Sequence, residues 1–115
     1  MKYMLLIYGD PTVQPASEAA RDALLGEFVA YTDDLRKRGL FVDGNPLVPP
    51  ASATTVRIRN GSRAVTDGPF AETKEFLGGY ILIEAASLDQ ALEAAATCPG
   101  AKFGSVEIRP IAVLS

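Results

Sequence analysis

Lys2-Tyr3-Met4-Leu5-Leu6-Ile7-Tyr8 stands at one end of the chain, and Gly78-Gly79-Tyr80-Ile81-Leu82-Ile83-Glu84-Ala85 lies in its second half. Successive side chains of a strand point to opposite faces of the sheet. Read as a strand, the first stretch carries Tyr3, Leu5 and Ile7 on one face and Met4, Leu6 and Tyr8 on the other. In the second, Ile81 and Ile83 face one way and Tyr80 and Leu82 the other. Both are apolar front and back, as expected of strands in the middle of a sheet covered on both sides.

The segments between them supply the cover. Residues 16–38 read as a long helix, with Ala20, Leu24, Phe28, Tyr31 and Leu35 forming one apolar stripe. Ser17 is placed to cap its amino end, Arg36, Lys37 and Arg38 complement its carboxyl end, and Gly39 supplies a left-handed stop. Leu40-Phe41-Val42 reads as a short strand. Residues 44–53 form a loop carrying Asn45-Pro46 and Pro49-Pro50. Residues 54–66 form a hairpin around Asn60-Gly61, a pair suited to a type I′ turn, with Val56 opposite Val65. Ser87 and Gln90 make a capping box for a second helix that ends near Thr97, before Cys98-Pro99-Gly100. Residues 104–111 are a last strand, with Val106 and Ile108 on its buried side.

Without the hairpin the order is β-α-β-β-α-β, the ferredoxin-like pattern of the α+β class. Two helices on one face of an antiparallel sheet leave the other face bare. The expected cover is the same face of a second copy, related by a two-fold axis, because an open apolar face would exceed what monomers usually expose. The expectation is a homodimer joined sheet to sheet over roughly 2,000 Å² or more in total.

The 115 residues suit one domain, residues 1–115. The 11 Lys and Arg against 14 Asp and Glu give a net charge of −3, which argues against a nucleic-acid partner. The chain has no histidine, so Ser-His-Asp triads, Cys-His pairs and HExxH zinc sites are excluded. No acidic spacing suits a calcium loop, and neither a metal nor a cofactor is expected. The single cysteine fits a reducing compartment. The first apolar run ends at Gly9-Asp10-Pro11, too short for a membrane helix and without a cleavage signal. A soluble cytoplasmic protein is expected, with no membrane partner.

Residues 67–75 read Asp67-Gly68-Pro69-Phe70-Ala71-Glu72-Thr73-Lys74-Glu75. This run resembles the name-giving motif of the DGPFAETKE family, a branch of the YCII-related proteins, at all nine positions. Met1 to Tyr8, Leu77-Gly78-Gly79-Tyr80, Cys98-Pro99-Gly100 and Val106-Glu107-Ile108-Arg109-Pro110 fit the same resemblance. It implies a dimeric α+β barrel of ferredoxin-like halves in the bacterial cytoplasm. It also implies gene neighbourhoods that include extracytoplasmic-function sigma factors. Some YCII-related relatives carry a histidine on the first helix and an aspartate before the proline after the second. Those positions fall here on Glu27 and Cys98, so the resemblance does not carry a His-Asp dyad into this chain.

The candidate ligand-binding residues are Tyr8, Glu27, Tyr31, Asp67, Phe70, Glu72 and Tyr80, in a cleft between the first helix, the sheet and the turn at residues 67–70. Tyr8, Tyr31, Phe70 and Tyr80 would give apolar walls, and Glu27, Asp67 and Glu72 polar anchors. Glu27 and Asp67 are the candidates for acid–base catalysis, Glu27 as a buried carboxylate. Turn formation alone explains Asp67-Gly68-Pro69. Cys98 lies at a helix carboxyl end without a base and reads as packed and inert. Arg57, Arg59 and Arg63 read as solubilising residues of an exposed edge. The function expected first is binding of a small polar metabolite by an accessory or regulatory homodimer. The alternatives are an enzyme using a carboxylate acid or base, and an interaction module working with a sigma factor.

Overall fold

The computed structural model describes residues 1–69 and 74–114. Among the described residues eight strands and α-helices follow one another: β1 (Lys2–Gly9), α1 (Glu18–Lys37), β2 (Phe41–Pro46), β3 (Thr54–Arg59), β4 (Ser62–Asp67), β5 (Phe76–Glu84), α2 (Leu88–Ala96) and β6 (Gly104–Pro110). The result is a mixed α+β architecture with two helices and antiparallel sheets. The main sheet has the order β2-β5-β1-β6, and β3 with β4 forms a separate two-stranded sheet. The two central strands are β1 and β5, the pair whose sequences are apolar on both sides. Tyr3 pairs with Ile83 and Leu5 with Ile81 across them, and Ile108 and Val106 of β6 pair with Leu5 and Ile7.

These residues make the face that the helices cover. The core gathers Tyr3, Leu5, Ile81 and Ile83 from the sheet, Tyr31 and Leu35 from α1, and Ala91, Ala94 and Ala95 from α2. The Tyr31 hydroxyl of α1 reaches α2 and donates to the carbonyl of Ala94 at 2.5 Å. Burial is the main influence that pushes the Tyr31 phenol far above its usual range. Tyr31→Phe should remove about 1 kcal/mol of stability near neutral pH, as measured by urea unfolding. A proton held more tightly in the folded chain gives stability that is full below the unfolded pKa and is lost as pH rises through the folded value. Wild-type stability should therefore fall above about pH 10, with a shallower fall in Tyr31→Phe.

Among the described residues, the opposite face carries no helix. Met4 and Leu6 of β1 pair with Leu82 and Tyr80 of β5, and all four are half-buried. Asp43 and Asn45 of β2 border this patch on one side, and Glu107 and Arg109 of β6 on the other. An apolar centre with a polar rim is the anatomy of a protein interface.

Local signals act where the sequence places them. Ser17 accepts from the backbone N–H of Ala20, and Ser87 from that of Gln90. The Gln90 side chain closes its end on the N–H of Ala86, one residue before the cap. Gly39 takes φ +73°, and Asn60 and Gly61 both have positive φ, as a type I′ turn requires. The Val56–Val65 register is present.

Three boundaries differ from expectation by two residues or more. α1 begins at Glu18 and not at residue 16, since Ser17 is an extended cap. β2 continues to Pro46 through what reads as loop. It is an edge strand, where the missing N–H of proline leaves no ladder bond unmade. β5 begins at Phe76 and not Gly78, because an irregularity lets Tyr8 pair with Leu77 while Ile7 pairs with Gly79. No helix among the described residues is long and apolar enough to cross a membrane.

Candidate functional site

The site is built where β1 and β6 meet at one end of the bare face. Alternation that buries Leu5 and Ile7 sends Tyr8 to the uncovered side. Tyr8 pairs with Ser105 and Leu6 with Glu107 in the same ladder, so Tyr8, Ser105 and Glu107 share that side. The Tyr8 hydroxyl donates to Glu107 Oε1 at 3.4 Å. The Ser105 hydroxyl reaches both Glu75 carboxylate oxygens at 3.2 Å. With Asp10 and Lys74 these residues line an open pocket of about 710 Å³. The Thr12 hydroxyl and then its backbone N–H, at 2.6 and 2.8 Å, hold the Asp10 carboxyl below the usual carboxylate range.

A second, larger hollow of about 1190 Å³ adjoins it and shares Tyr8 and Glu75. Its walls are mostly apolar, supplied by Leu47, Val48 and Pro49 of the β2–β3 connection and by Phe76 and Leu77 of β5. Pro46 ends the edge strand, and the Leu47 N–H still donates to the Gly78 carbonyl at 2.9 Å. That bond holds the proline-rich connection beside the sheet. Three carboxylates, two hydroxyls and one ammonium thus meet an apolar trough. This set accepts O–H or N–H donors from a ligand and gives its flat apolar part a wall. No trio of His, Cys, Asp and Glu among the described residues is placed to hold a metal ion.

The YCII-related domain model matches residues 1–115. The chain belongs to the YCII-related family. It is 39% identical over 116 residues to the uncharacterized protein R00369 of Rhizobium meliloti strain 1021, covering 98% of this chain and 94% of that one. Its fold is similar to that of 5-chloro-2-hydroxyhydroquinone dehydrochlorinase (TftG) from Burkholderia phenoliruptrix AC1100, solved in complex with 2,5-dihydroxybenzoquinone. That likeness has a TM-score of 0.53 and 19% identity, over 97% of this chain and 94% of the other.

In this YCII-related chain Tyr8, Glu27, Tyr31, Asp67 and Tyr80, singled out from sequence, do not form one cleft. The sheet separates them. Tyr8 and Tyr80 lie on the bare side, where the Tyr80 hydroxyl accepts from Asn45 Nδ2 at 3.0 Å. Tyr31 is 8% exposed and belongs to the core on the helical side. Glu27, expected as a buried carboxylate, is 46% exposed and binds Lys102 Nζ at 2.7 Å. The apolar stripe of α1 passes through Phe28 and Tyr31, which turns Glu27 outward into a surface ion pair. Asp67 ends β4 as an exposed residue and lines neither hollow. Phe70 and Glu72 lie outside the described residues. Cys98 is buried, and its burial pushes the thiol upward, against the opposing pull of the Gly100 and Ala101 amides.

Asp10, Lys74, Glu75, Ser105 and Glu107 line the pocket without being among the residues expected from the sequence. A signal for two of them was present. Val106 and Ile108 point to the core, so Ser105 and Glu107 must share the other face with Tyr8. Lys74 and Glu75 sit inside the nine-residue motif, behind the more conspicuous Asp67 and Glu72.

Proposed function

We propose that this YCII-related chain pairs through its bare sheet face and binds a small hydroxylated organic molecule in the Tyr8 pocket, as an accessory or regulatory protein of the cytoplasm. In this reading each chain is a ferredoxin-like half of a dimeric α+β barrel, and the strand order β2-β5-β1-β6 supports it. The unbroken 67–75 motif supports membership of the DGPFAETKE branch.

One observation carries the ligand class. Two hydroxyl–carboxylate contacts, Tyr8 with Glu107 and Ser105 with Glu75, flank the junction with the apolar trough. Ligand hydroxyls would replace the protein hydroxyls as donors to these carboxylates, and the ligand skeleton would lie against Phe76, Leu77 and Leu47. The neighbouring structure's compound is a dihydroxylated ring, which is a ligand of this kind. A free carboxylate would meet Asp10, Glu75 and Glu107 and be disfavoured.

Thermal shift followed by titration calorimetry over polyhydroxylated rings, polyols, amines and simple carboxylates tests the reading. Hydroxylated compounds should stabilise the chain and carboxylates should not. Glu75→Gln should weaken binding by about tenfold, the loss typical of one charge-assisted hydrogen bond, whereas Tyr8→Phe, which frees Glu107 for the ligand, should not weaken it. Stabilisation by none of the hydroxylated compounds would refute it.

A second reading is favoured by the Tyr8–Glu107 contact, which gives a phenol next to an acceptor carboxylate. In an enzyme, Glu107 or Glu75 would take a proton from a bound hydroxyl, the general-base role an imidazole plays elsewhere. Turnover of a bound compound, lost in Glu107→Gln with affinity kept, would select it over simple binding.

A further inference from the structure

Among the described residues, the β3–β4 hairpin is an arm with little of the protein around it. Every residue of β3 and β4 except Thr55 is exposed, with Val56 at 59%, Ile58 at 60% and Val65 at 56%. At its base the Gly68 N–H donates to the Ala53 carbonyl and the Thr55 hydroxyl to the Gly68 carbonyl. The radius of gyration is 16.1 Å, against about 13 Å for a compact chain of this length. A two-stranded ribbon is marginal in water unless it packs on something.

The register sorts its side chains. One side carries Thr54 and Asp67 at the base, Val56 and Val65 in the middle, and Ile58 and Arg63 towards the tip. The other side carries Thr55, Arg57, Arg59, Ser62, Ala64 and Thr66. The first side is thus an apolar centre with a carboxylate at one end and a guanidinium at the other. Asp67 and Arg63 are four residues apart on one strand, about 13 Å, too far to pair within the arm. Turned end for end, the same surface presents its guanidinium where the first presents its carboxylate.

We propose that the arm packs on the arm of a second copy, face to face and base to tip. The two-fold axis lies between the ribbons and across the strands. It sets β3 on the partner's β3 and β4 on the partner's β4. Val65 then meets the partner's Val65 at the axis, and Arg63 of each arm faces the partner's Asp67. The contact is isologous, so each charge pair occurs twice. This inference stands apart from the sheet-face pairing, since it uses different residues.

The test is cross-linking of the full chain carrying Val65→Cys with a short bismaleimide. Cys98 is 2% exposed and leaves the new thiol as the reactive one. A covalent pair should form. Arg63→Asp or Asp67→Arg added alone places like charges opposite each other at both ends and should slow cross-linking by about tenfold. Both changes together exchange the two ends and should restore the rate to within about twofold. Rates that ignore the single changes, or a double variant that stays slow, would overturn the proposal.

Discussion

In a chain whose arm is silenced by Val65→Asp, Leu6→Asp should break the proposed sheet-face pair into single chains, weakening association by about a thousandfold or more. Leu6 sits on β1 between Tyr80 of β5 and Glu107 of β6, near the middle of the bare face. Burying a leucine contributes about 1.5–3 kcal/mol, and the two-fold axis counts it twice. An unpaired carboxylate buried in its place costs several kcal/mol more. Each 1.4 kcal/mol is a factor of about ten. The chain itself should still fold, because the core of Leu5, Leu35, Ile81 and Ile83 lies on the other side of the sheet. Sedimentation measures the association, and circular dichroism checks the fold. A folded Leu6→Asp variant that associates as strongly as the parent would remove the bare face from consideration as an interface.

Gly104→Ala should lower stability by about 2–3 kcal/mol and abolish ligand binding together with it. A Cβ on Gly104 would lie 1.9 Å from the Tyr8 carbonyl oxygen and 3.1 Å from the Gly9 Cα. Both atoms are backbone, so no rotamer change relieves the clash, and β6 must move away from β1. Tyr8, Ser105 and Glu107 straddle that pair of strands, so the pocket opens when they separate. Gly26→Ala is the matched control. Nothing lies within 4 Å of its added methyl, and on an exposed helix position the change should stabilise by about 0.5–1 kcal/mol. Urea unfolding of both variants reads the contrast. Equal stabilities would mean that β1 and β6 are not joined as closely as described.

Much of the sheet could be read directly because its signals are local. Alternation in β1 and β5 identifies central strands. Ser17, Ser87, Gly39 and Asn60-Gly61 act within a few residues of themselves, and all take the conformations their chemistry favours. The ends of β2 and β5 were not readable, since each depends on an edge position or a pairing irregularity that only the assembled sheet creates.

The pocket was legible in part, for the same reason. Tyr8 announces itself as an aromatic residue at the end of a two-faced strand. Its neighbours Ser105 and Glu107 come from almost a hundred residues further along and join it only through the β1–β6 register. Glu27 shows the converse. Family position and helix spacing made it prominent, yet only the rotation of α1 about its Phe28–Tyr31–Leu35 stripe decides whether it faces a cleft or water. Here it meets Lys102 at the surface.

The bare sheet face is tested most directly by the mass in solution of a chain whose arm is silenced by Val65→Asp. Sedimentation equilibrium at micromolar concentration should give twice the 12.2 kDa of one chain. A mass of 12.2 kDa under those conditions would contradict the account, because the half-buried Met4, Leu6, Tyr80 and Leu82 would then have no second copy to cover them.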